Sequence, residues 1–580
     1  MAASVNGHAN GLFYPYPTTL ELEDKPIDEI RQLKVAVIGA GLSGITAGIL
    51  LPAKVPGIQV TILEKNADVG GTWFENIYPG VRCDVAAHTY QSTFSPNTQW
   101  SEEYAQGPEI LKYWQDVARK YDVYSKIRFN TKVMGAYWEP DEAKWRIDTI
   151  TSDSNEKSSA KFDFLVTCHG LFNAWKLPDY PGIELYKGKL MHSSNWDPSF
   201  DPKGKRIATI GNGASGLQVT PEVRKVAAHV DHYARSRTWI AGNFGAGPPR
   251  QDKPITFSKE QLEEFKDPES YLKFRKEREE GFWRNYDAQL ADTEASQKMR
   301  GNFIELMKNR LEHPELLDDL IPDFPPLCRR LTPGPGYLEA LSKPNLTFIQ
   351  TPIERFTEDG IVTMDGVHRP VEAIICSTGA NTDFAPAYPI VSGSYDLSRD
   401  WKPGEHSAYG FPYTYIGMTT PHFPNLAFAL GPNQSGNTGT LVSTVEMVLT
   451  YVAKILRKIS SQGIKTITPS QKAADEFLEY CDTYFPRMNL SRNCSSWSNG
   501  GVAGARIHGH WPGSAAHVRL VRAEPRWEDF EYTYYRPENR FAYFGNGKTK
   551  KEYLPEADMT KYLRLPEQDL RDLHERWYEY

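Results

Sequence analysis

Residues 186–216 read YKGKLMHSSNWDPSFDPKGKRIATIGNGASG, an aromatic-rich connector that runs straight into a short apolar strand and a glycine-rich turn. Lys205 to Ile210 reads as a strand. Gly211, Gly213 and Gly216 follow at the spacing that gives a dinucleotide fold its tight turn, its close approach to a pyrophosphate and its helix-on-strand contact. The phosphates would sit at the N-terminus of the helix that follows. Glycine-rich loops are common, so this one alone leaves an ordinary turn open.

Upstream the same pattern recurs. Val35 to Ile38 is an apolar strand, Gly39, Gly41 and Gly44 form a second G-x-G-x-x-G, and the next strand, Val60 to Leu63, ends in Glu64. Glu64 lies 20 residues beyond Gly44, where an acid accepts hydrogen bonds from the ribose hydroxyls of an unphosphorylated adenosine and repels a 2′-phosphate. The alternative is a surface glutamate that merely ends a strand. The two fingerprints start 172 residues apart, too far for the halves of one repeat, so two separate nucleotide domains are implied. After the second loop, strand Val230 to Ala234 is followed by Arg235, Ser236 and Arg237 with no acid at its end. A guanidinium grips a phosphate through paired charge-assisted bonds, so this end favours NADP over NAD; a solvated basic turn is the other reading.

Composition narrows the class. A 580-residue chain divides into two or three domains, and a net charge of −7 from 66 basic and 73 acidic residues supplies no field for nucleic acid or anionic lipid. No nucleic-acid partner and no membrane span are expected. The most apolar helical candidate, Thr440 to Ile459, carries Glu446, Lys454, Arg457 and Lys458. Six scattered cysteines lack the spacing of a zinc site or a disulfide scaffold, so no metal site is expected and a reducing, cytoplasmic location fits. They also offer no close pair of the kind a disulfide reductase needs beside its flavin. Asp28 to Gln32 reads as a short surface helix, and the segments at 259–265, 270–286 and 298–312 as helices with apolar stripes forming a pocket wall. Gly70-Gly71-Thr72-Trp73, Tyr78 to Asp84 and Tyr90 form aromatic loops that a flat ring can approach; a rigid turn is the other reading. The Gly-, Asn- and Ser-rich loops at 431–439 and 492–504 are candidate cofactor clamps.

With these features together the chain resembles the class B flavoprotein monooxygenases and, within them, the Baeyer-Villiger monooxygenases. The most specific element is a signature of aromatic, Gly, His, Trp and Asp, met by Tyr186, Gly188, His192, Trp196 and Asp197, with Tyr186 in place of the usual Phe. CSSW and HGHWPGS look like the fungal secondary-metabolism branch. The resemblance implies an α/β fold with two Rossmann-like domains, for FAD and NADP, and a helical insertion. The implied order is an extension at 1–33, the first part of the FAD domain at 34–170, the NADP domain at 171–379 with the insertion at about 250–325, and the remainder of the FAD domain with C-terminal loops at 380–580.

The resemblance also assigns residues. Gly39, Gly41, Gly44, Glu64, Thr72, Trp73, Arg82, Cys83, Asp84 and Tyr90 should contact FAD, and Gly211, Gly213, Ser215, Gly216, Arg235 and Ser236 should contact NADPH. Arg330 matches the family's active-site arginine and Asp84 the acid that holds it. Arg329 occupies the place of a lysine that helps bind the 2′-phosphate, and Trp497 that of a mobile-loop tryptophan reaching the nicotinamide cofactor. The implied reaction uses O₂ and a small-molecule ketone, inserting oxygen beside the carbonyl to give an ester or lactone. An N- or S-oxygenase, which needs no fixed cation, is the rival; a non-catalytic nucleotide-binding scaffold is the remoter one.

Overall fold

Strands Lys34–Ile38 and Arg206–Ile210 each bury four consecutive side chains, the pattern of a strand covered on both faces of a parallel sheet. They are seen here in a computed structural model that describes residues 20–172, 174–241, 254–563 and 573–575. Each is the middle strand of a five-stranded parallel sheet. The first sheet runs Leu426–Phe428, Phe164–Thr167, Lys34–Ile38, Gln59–Leu63, Ile127–Arg128. The second runs Leu346–Ile349, His229–Tyr233, Arg206–Ile210, Ala373–Cys376, Lys189–His192. Parallel pairing holds throughout both, with Val37 opposite Ile62 and Ala208 opposite Asp231. Leu426–Phe428 joins the first sheet only after the second is complete, so the chain leaves the first nucleotide unit and returns to it.

The two passages between the sheets run side by side. Asn381 N–H donates to the Ala174 carbonyl (2.8 Å), Thr378 Oγ1 to the Lys176 carbonyl (3.1 Å), and Trp175 pairs with Ala380 as an isolated bridge. The signature residues sit here. His192 ends strand Lys189–His192 and stacks on Trp175 with ring centroids 5.4 Å apart, while its Nδ1 accepts from Ser194 N–H. Tyr186 donates its hydroxyl to the Val371 carbonyl at 2.9 Å, and Trp196 packs edge-on to Phe200. None of Tyr186, His192 and Trp196 lines the cavity described below.

A largely antiparallel sheet built on Thr131–Glu139, Lys144–Thr151 and Lys157–Phe162 covers the first parallel sheet, joining Trp145, Ile147 and Phe162 to Ala36, Ile38 and Leu165 in one apolar cluster. Helix Leu441–Ser461, capped by Thr440 accepting from Ser443 N–H, lays its apolar face on helix Leu42–Lys54. No helix among the described residues is long and apolar enough to cross a membrane. The expected helices of the insertion form as Lys259–Glu264, Pro268–Arg284 and Glu294–Arg310. Each starts on a side-chain cap: Ser258 in a capping box with Gln261, Asp267 accepting from Ser270 N–H, and Thr293 from Ser296 N–H. The first 19 residues of the N-terminal extension and residues 250–253 of the insertion lie outside the described residues.

Two expectations are corrected. Residues 28–32 form no helix: Arg31 instead reaches back to Asp163 (2.9 Å) and lies over Tyr535, and these tertiary partners override a weak local preference. The six cysteines are not all isolated, because Cys328 and Cys494, 166 residues apart, are joined by a disulfide, while Cys83, Cys168, Cys376 and Cys481 are buried thiols.

Candidate active site

The two glycine loops have one geometry. Gly39 and Gly211 sit at φ +101 and +104, open only to glycine at no cost, and a Cβ on Gly44 or Gly216 would fall 1.8 or 1.9 Å from the carbonyl oxygen of Gly39 or Gly211. Helices Leu42–Lys54 and Ala214–Arg224 begin at Gly41 and Gly213 without a side-chain cap, so their first N–H groups stay available for an anion. Open space lies around Gly213, where a pyrophosphate would approach. Both loops fit a dinucleotide.

At the end of the first pair of strands Glu64 is buried, and its carboxylate accepts from Ala40 N–H (2.6 Å) and Asn66 N–H (2.8 Å). Burial raises its pKa and these two bonds pull it back. It is not a stray surface acid: it faces the loop whose ribose it would bind. Arg235, at the matching point of the second unit, is exposed and makes no ion pair with a described residue. Ser236 accepts through its carbonyl from Asn212 Nδ2.

Between the units the aromatic loops close up. Gly70 and Gly71, at φ +127 and +52, turn the chain into the short helix Thr72–Glu75. Trp73 is buried there, its indole N–H donating to Tyr90 Oη at 3.3 Å and the two rings meeting edge to face. Arg82 Nη1 donates to Glu102 Oε2 (2.8 Å), and Cys83 is buried. Tyr78 Oη reaches across to Ser215 Oγ (3.2 Å) and Gln218 Oε1 (2.9 Å) on the helix of the second fingerprint. Ser215 thus faces the first unit as well as its own loop.

The structure brings Asp84 and Arg330, 246 residues apart, into a two-pronged pair: Arg330 Nε donates to Asp84 Oδ2 at 2.6 Å and Nη2 to Oδ1 at 3.0 Å. Packing around Arg330 opposes its charge and the Asp84 carboxylate more than offsets that, so the guanidinium holds its proton more firmly than usual while 41% of the side chain stays exposed into the cavity. Arg330 lines a cavity of about 1140 Å³, part of it open to solvent. Phe282 and Met299 from the helical insertion, Leu327 and Leu490 give its apolar wall, and Tyr90 and Trp497 also line it. Arg329 shares this cavity. Its Nη2 donates to Ser495 Oγ (3.1 Å) and its guanidinium lies over Phe324, so here it is held by the Trp497 loop.

Sequence reasoning missed two cavity residues. His510 packs against Trp497 with ring centroids 4.5 Å apart and the ring planes tilted by 36°, and its Nδ1 is buried without a hydrogen-bond partner among the described residues. Burial first, and the Arg330 charge second, push its pKa down to about 3, so it stays neutral beside the fixed cation. Asn437 Nδ2 donates to the Trp511 (2.7 Å) and Gly513 (2.9 Å) carbonyls, leaving Oδ1 as a buried acceptor without a partner. The HGH run and the GNTG loop were visible as composition, but nothing local showed that they meet over Arg330.

A family model described as flavin-binding monooxygenase-like matches residues 32–251. The chain is 33% identical over 542 residues to the FAD-binding monooxygenase tazF of Aspergillus terreus, covering 92% of this chain and 95% of that one. It is 31% identical to a Baeyer-Villiger monooxygenase of Pseudomonas aeruginosa, covering 85% and 90%. Among solved structures, OTEMO in complex with FAD and NADP matches with a TM-score of 0.73 at 25% identity, over 86% of this chain and 99% of that one.

Proposed function

The chain belongs to the flavin-binding monooxygenases of the Baeyer-Villiger type, and we propose that it inserts one atom of O₂ beside the carbonyl of a bulky ketone, forming an ester or lactone. It is an FAD- and NADPH-dependent enzyme. The observation that carries the finer reading is the Asp84–Arg330 pair at the wall of a cavity reached by both nucleotide units.

In this reading Gly39, Gly41, Gly44 and Glu64 hold FAD, with Trp73 and Tyr90 beside its ring, and Gly211, Gly213, Gly216 and Arg235 hold NADPH. Bound FAD, reduced by NADPH, supplies the activated oxygen and with it negative charge that must be stabilised close to the carbonyl. Arg330 answers that need. Its cation is fixed in place before reaction, and a preorganised charge of this kind contributes about 3 kcal/mol to such a step where bound cofactor and substrate exclude water. Asp84 keeps the guanidinium plane in one orientation. His510, neutral at working pH, is a second hydrogen-bond donor for the carbonyl oxygen. Attack on nitrogen or sulfur needs no cation, which is why this pair favours carbonyl chemistry. The mixed wall of the cavity, apolar at Phe282, Met299, Leu327 and Leu490 with Asn437 as a buried acceptor, suits an oxygenated secondary metabolite. The proposal includes a cytoplasmic location, against which the Cys328–Cys494 disulfide weighs.

The test is turnover of a panel of fused-ring and aryl ketones with NADPH under ¹⁸O₂. One ¹⁸O in the bridging position of an ester or lactone is the expected product. A panel of amines and sulfides that yields N-oxides or sulfoxides, while every ketone is left intact, overturns the proposal.

A further inference from the structure

The disulfide stands at the junction of two segments that the chemistry depends on. Cys328 directly precedes Arg329 and Arg330; Cys494 lies three residues before Trp497. Both half-cystines are buried, at 0% and 3% exposure, and Cys328 lines the cavity itself.

On the loop side, the position of Cys494 is passed on through short contacts. Its carbonyl accepts from Asn499 Nδ2 (2.9 Å), and Asn499 Oδ1 accepts from Ser496 N–H (2.8 Å), closing a capping box around Trp497. The Ser498 carbonyl then takes His508 N–H (2.8 Å) and Gly509 N–H (3.0 Å), tying this loop to the run carrying His510, which Asn433 also holds by donating its N–H to the His508 carbonyl (2.6 Å) and its Nδ2 to the His510 carbonyl (2.8 Å). The other ties near Cys494 are slight. Arg329 offers one hydrogen bond to Ser495, and Arg492 makes an exposed ion pair with Asp292 of the helical insertion. The covalent bond is the strong link between the arginine segment and this loop.

We infer that Cys328–Cys494 is a positioning pair that sets the distance between Arg330 and the Trp497–His510 contact, and that reducing it loosens the loop so that NADP⁺ and activated oxygen both escape early. The inference rests on the proposed roles of Arg330 and Trp497. Reduction by a small dithiol balances simply: one thiolate attacks a sulfur of the bridge, the second resolves the mixed disulfide, and two electrons and two protons pass to Cys328 and Cys494 as the dithiol closes into its own disulfide. Because both sulfurs are buried, the loop must lift before a thiolate can reach them, so bound NADP⁺ should slow the reduction.

The experiment uses the flavin-loaded enzyme without any ketone. Alkylation of denatured protein should modify four cysteines before dithiothreitol treatment and six after it. Dithiothreitol should raise the rate of NADP⁺ release and the rate of hydrogen peroxide formation from NADPH about ten-fold, the scale expected when preorganisation of one contact is lost. Flavin absorbance and the anaerobic rate of flavin reduction should stay within about two-fold. Reoxidation should restore the slow rates, and the Cys328→Ser/Cys494→Ser double variant should show the fast ones with no response to dithiothreitol. Six alkylated cysteines without reductant, or unchanged NADP⁺ release and peroxide formation after full reduction, would overturn the inference. If the double variant does not fold, the reversible treatment of the natural protein decides alone. None of these readouts needs an ester, so a failure of the oxygenation reading would appear separately, as absence of ester with the disulfide intact.

Discussion

The glycine loops at Gly39–Gly44 and Gly211–Gly216 share a backbone and differ in what awaits the nucleotide at the next strand end. In the first, Glu64 is buried and already oriented by two backbone N–H groups. In the second, Arg235 stands exposed and forms no ion pair with a described residue. The difference teaches that the glycine spacing specifies a phosphate cradle only, while the strand end sets which nucleotide enters and how readily it leaves. A preformed, buried acceptor suits a cofactor that stays; an exposed guanidinium suits one that exchanges in every cycle. The reactive pair bridges the two, with Asp84 from the loops of the first unit and Arg330 from the second.

The most damaging way to separate the units is to fill a glycine. Gly44→Ala places a methyl 1.8 Å from the Gly39 carbonyl oxygen and should give a colourless, poorly folded protein. Gly216→Ala meets the same clash at 1.9 Å in the second loop and should remain yellow while losing more than about 100-fold in NADPH-dependent flavin reduction, a cost at the upper end of the usual overpacking range. Flavin absorbance and NADPH oxidation read the two outcomes; loss of flavin from Gly216→Ala would show that the units do not fold independently.

Acid should attack both units. Burial depresses the pKa of His88, packed against the helical insertion, to about 3, and those of His232 beneath the second loop and His508 beside the Trp497 loop to about 4, each from 6.5. Below pH 6.5 the unfolded chain takes protons that the folded one refuses, so stability is full above that value and falls as pH drops toward 4. By pH 5.5 each contributes a loss of about 1 kcal/mol, to be read as a falling Tm between pH 7.5 and 5.5. A flat Tm across that range would contradict the assigned burial.

The contrast in strand-end charge predicts a smaller change. Arg235→Ala should weaken NADPH binding by about 1.5 to 3 kcal/mol and leave NADH and FAD binding untouched. Titration with both coenzymes checks it, and equal losses for both would remove Arg235 from the 2′-phosphate site. The smallest effect is expected at the hinge. Trp196→Ala, a half-buried ring against Phe200, should raise hydrogen peroxide release two- to three-fold, an estimate of about 0.5 kcal/mol in coupling, with full flavin content. Loss of flavin instead would make Trp196 a core residue.

What could be read from the sequence follows the reach of each interaction. The runs KVAVI and RIATI, the glycine loops and the helices of the insertion are decided within a few residues, so spacing alone conveys them. Asp84 and Arg330 were paired only through family resemblance, because no local pattern links residues 246 positions apart. The Cys328–Cys494 bond, the Tyr78 contacts with Ser215 and Gln218, and the His510–Trp497 contact are of the same long-range kind and had no such guide. The Arg82–Glu102 pair is also of this kind, since the motif shows the arginine and not its partner. The Asp28–Gln32 segment misled because Asp163 and Tyr535 lie far along the chain.

The central claim is that Arg330 acts after flavin reduction, as the cation that holds charge developing beside the carbonyl. Arg330→Ala, with FAD content verified, should be mixed anaerobically with NADPH and then with O₂ and a ketone that the natural enzyme converts. The account predicts flavin reduction within about ten-fold of normal and ester formation lowered by about 100- to 1000-fold, with Arg330→Lys recovering little because an ammonium lacks the planar fork that meets Asp84. Ester formation by Arg330→Ala at a near-natural rate would contradict it.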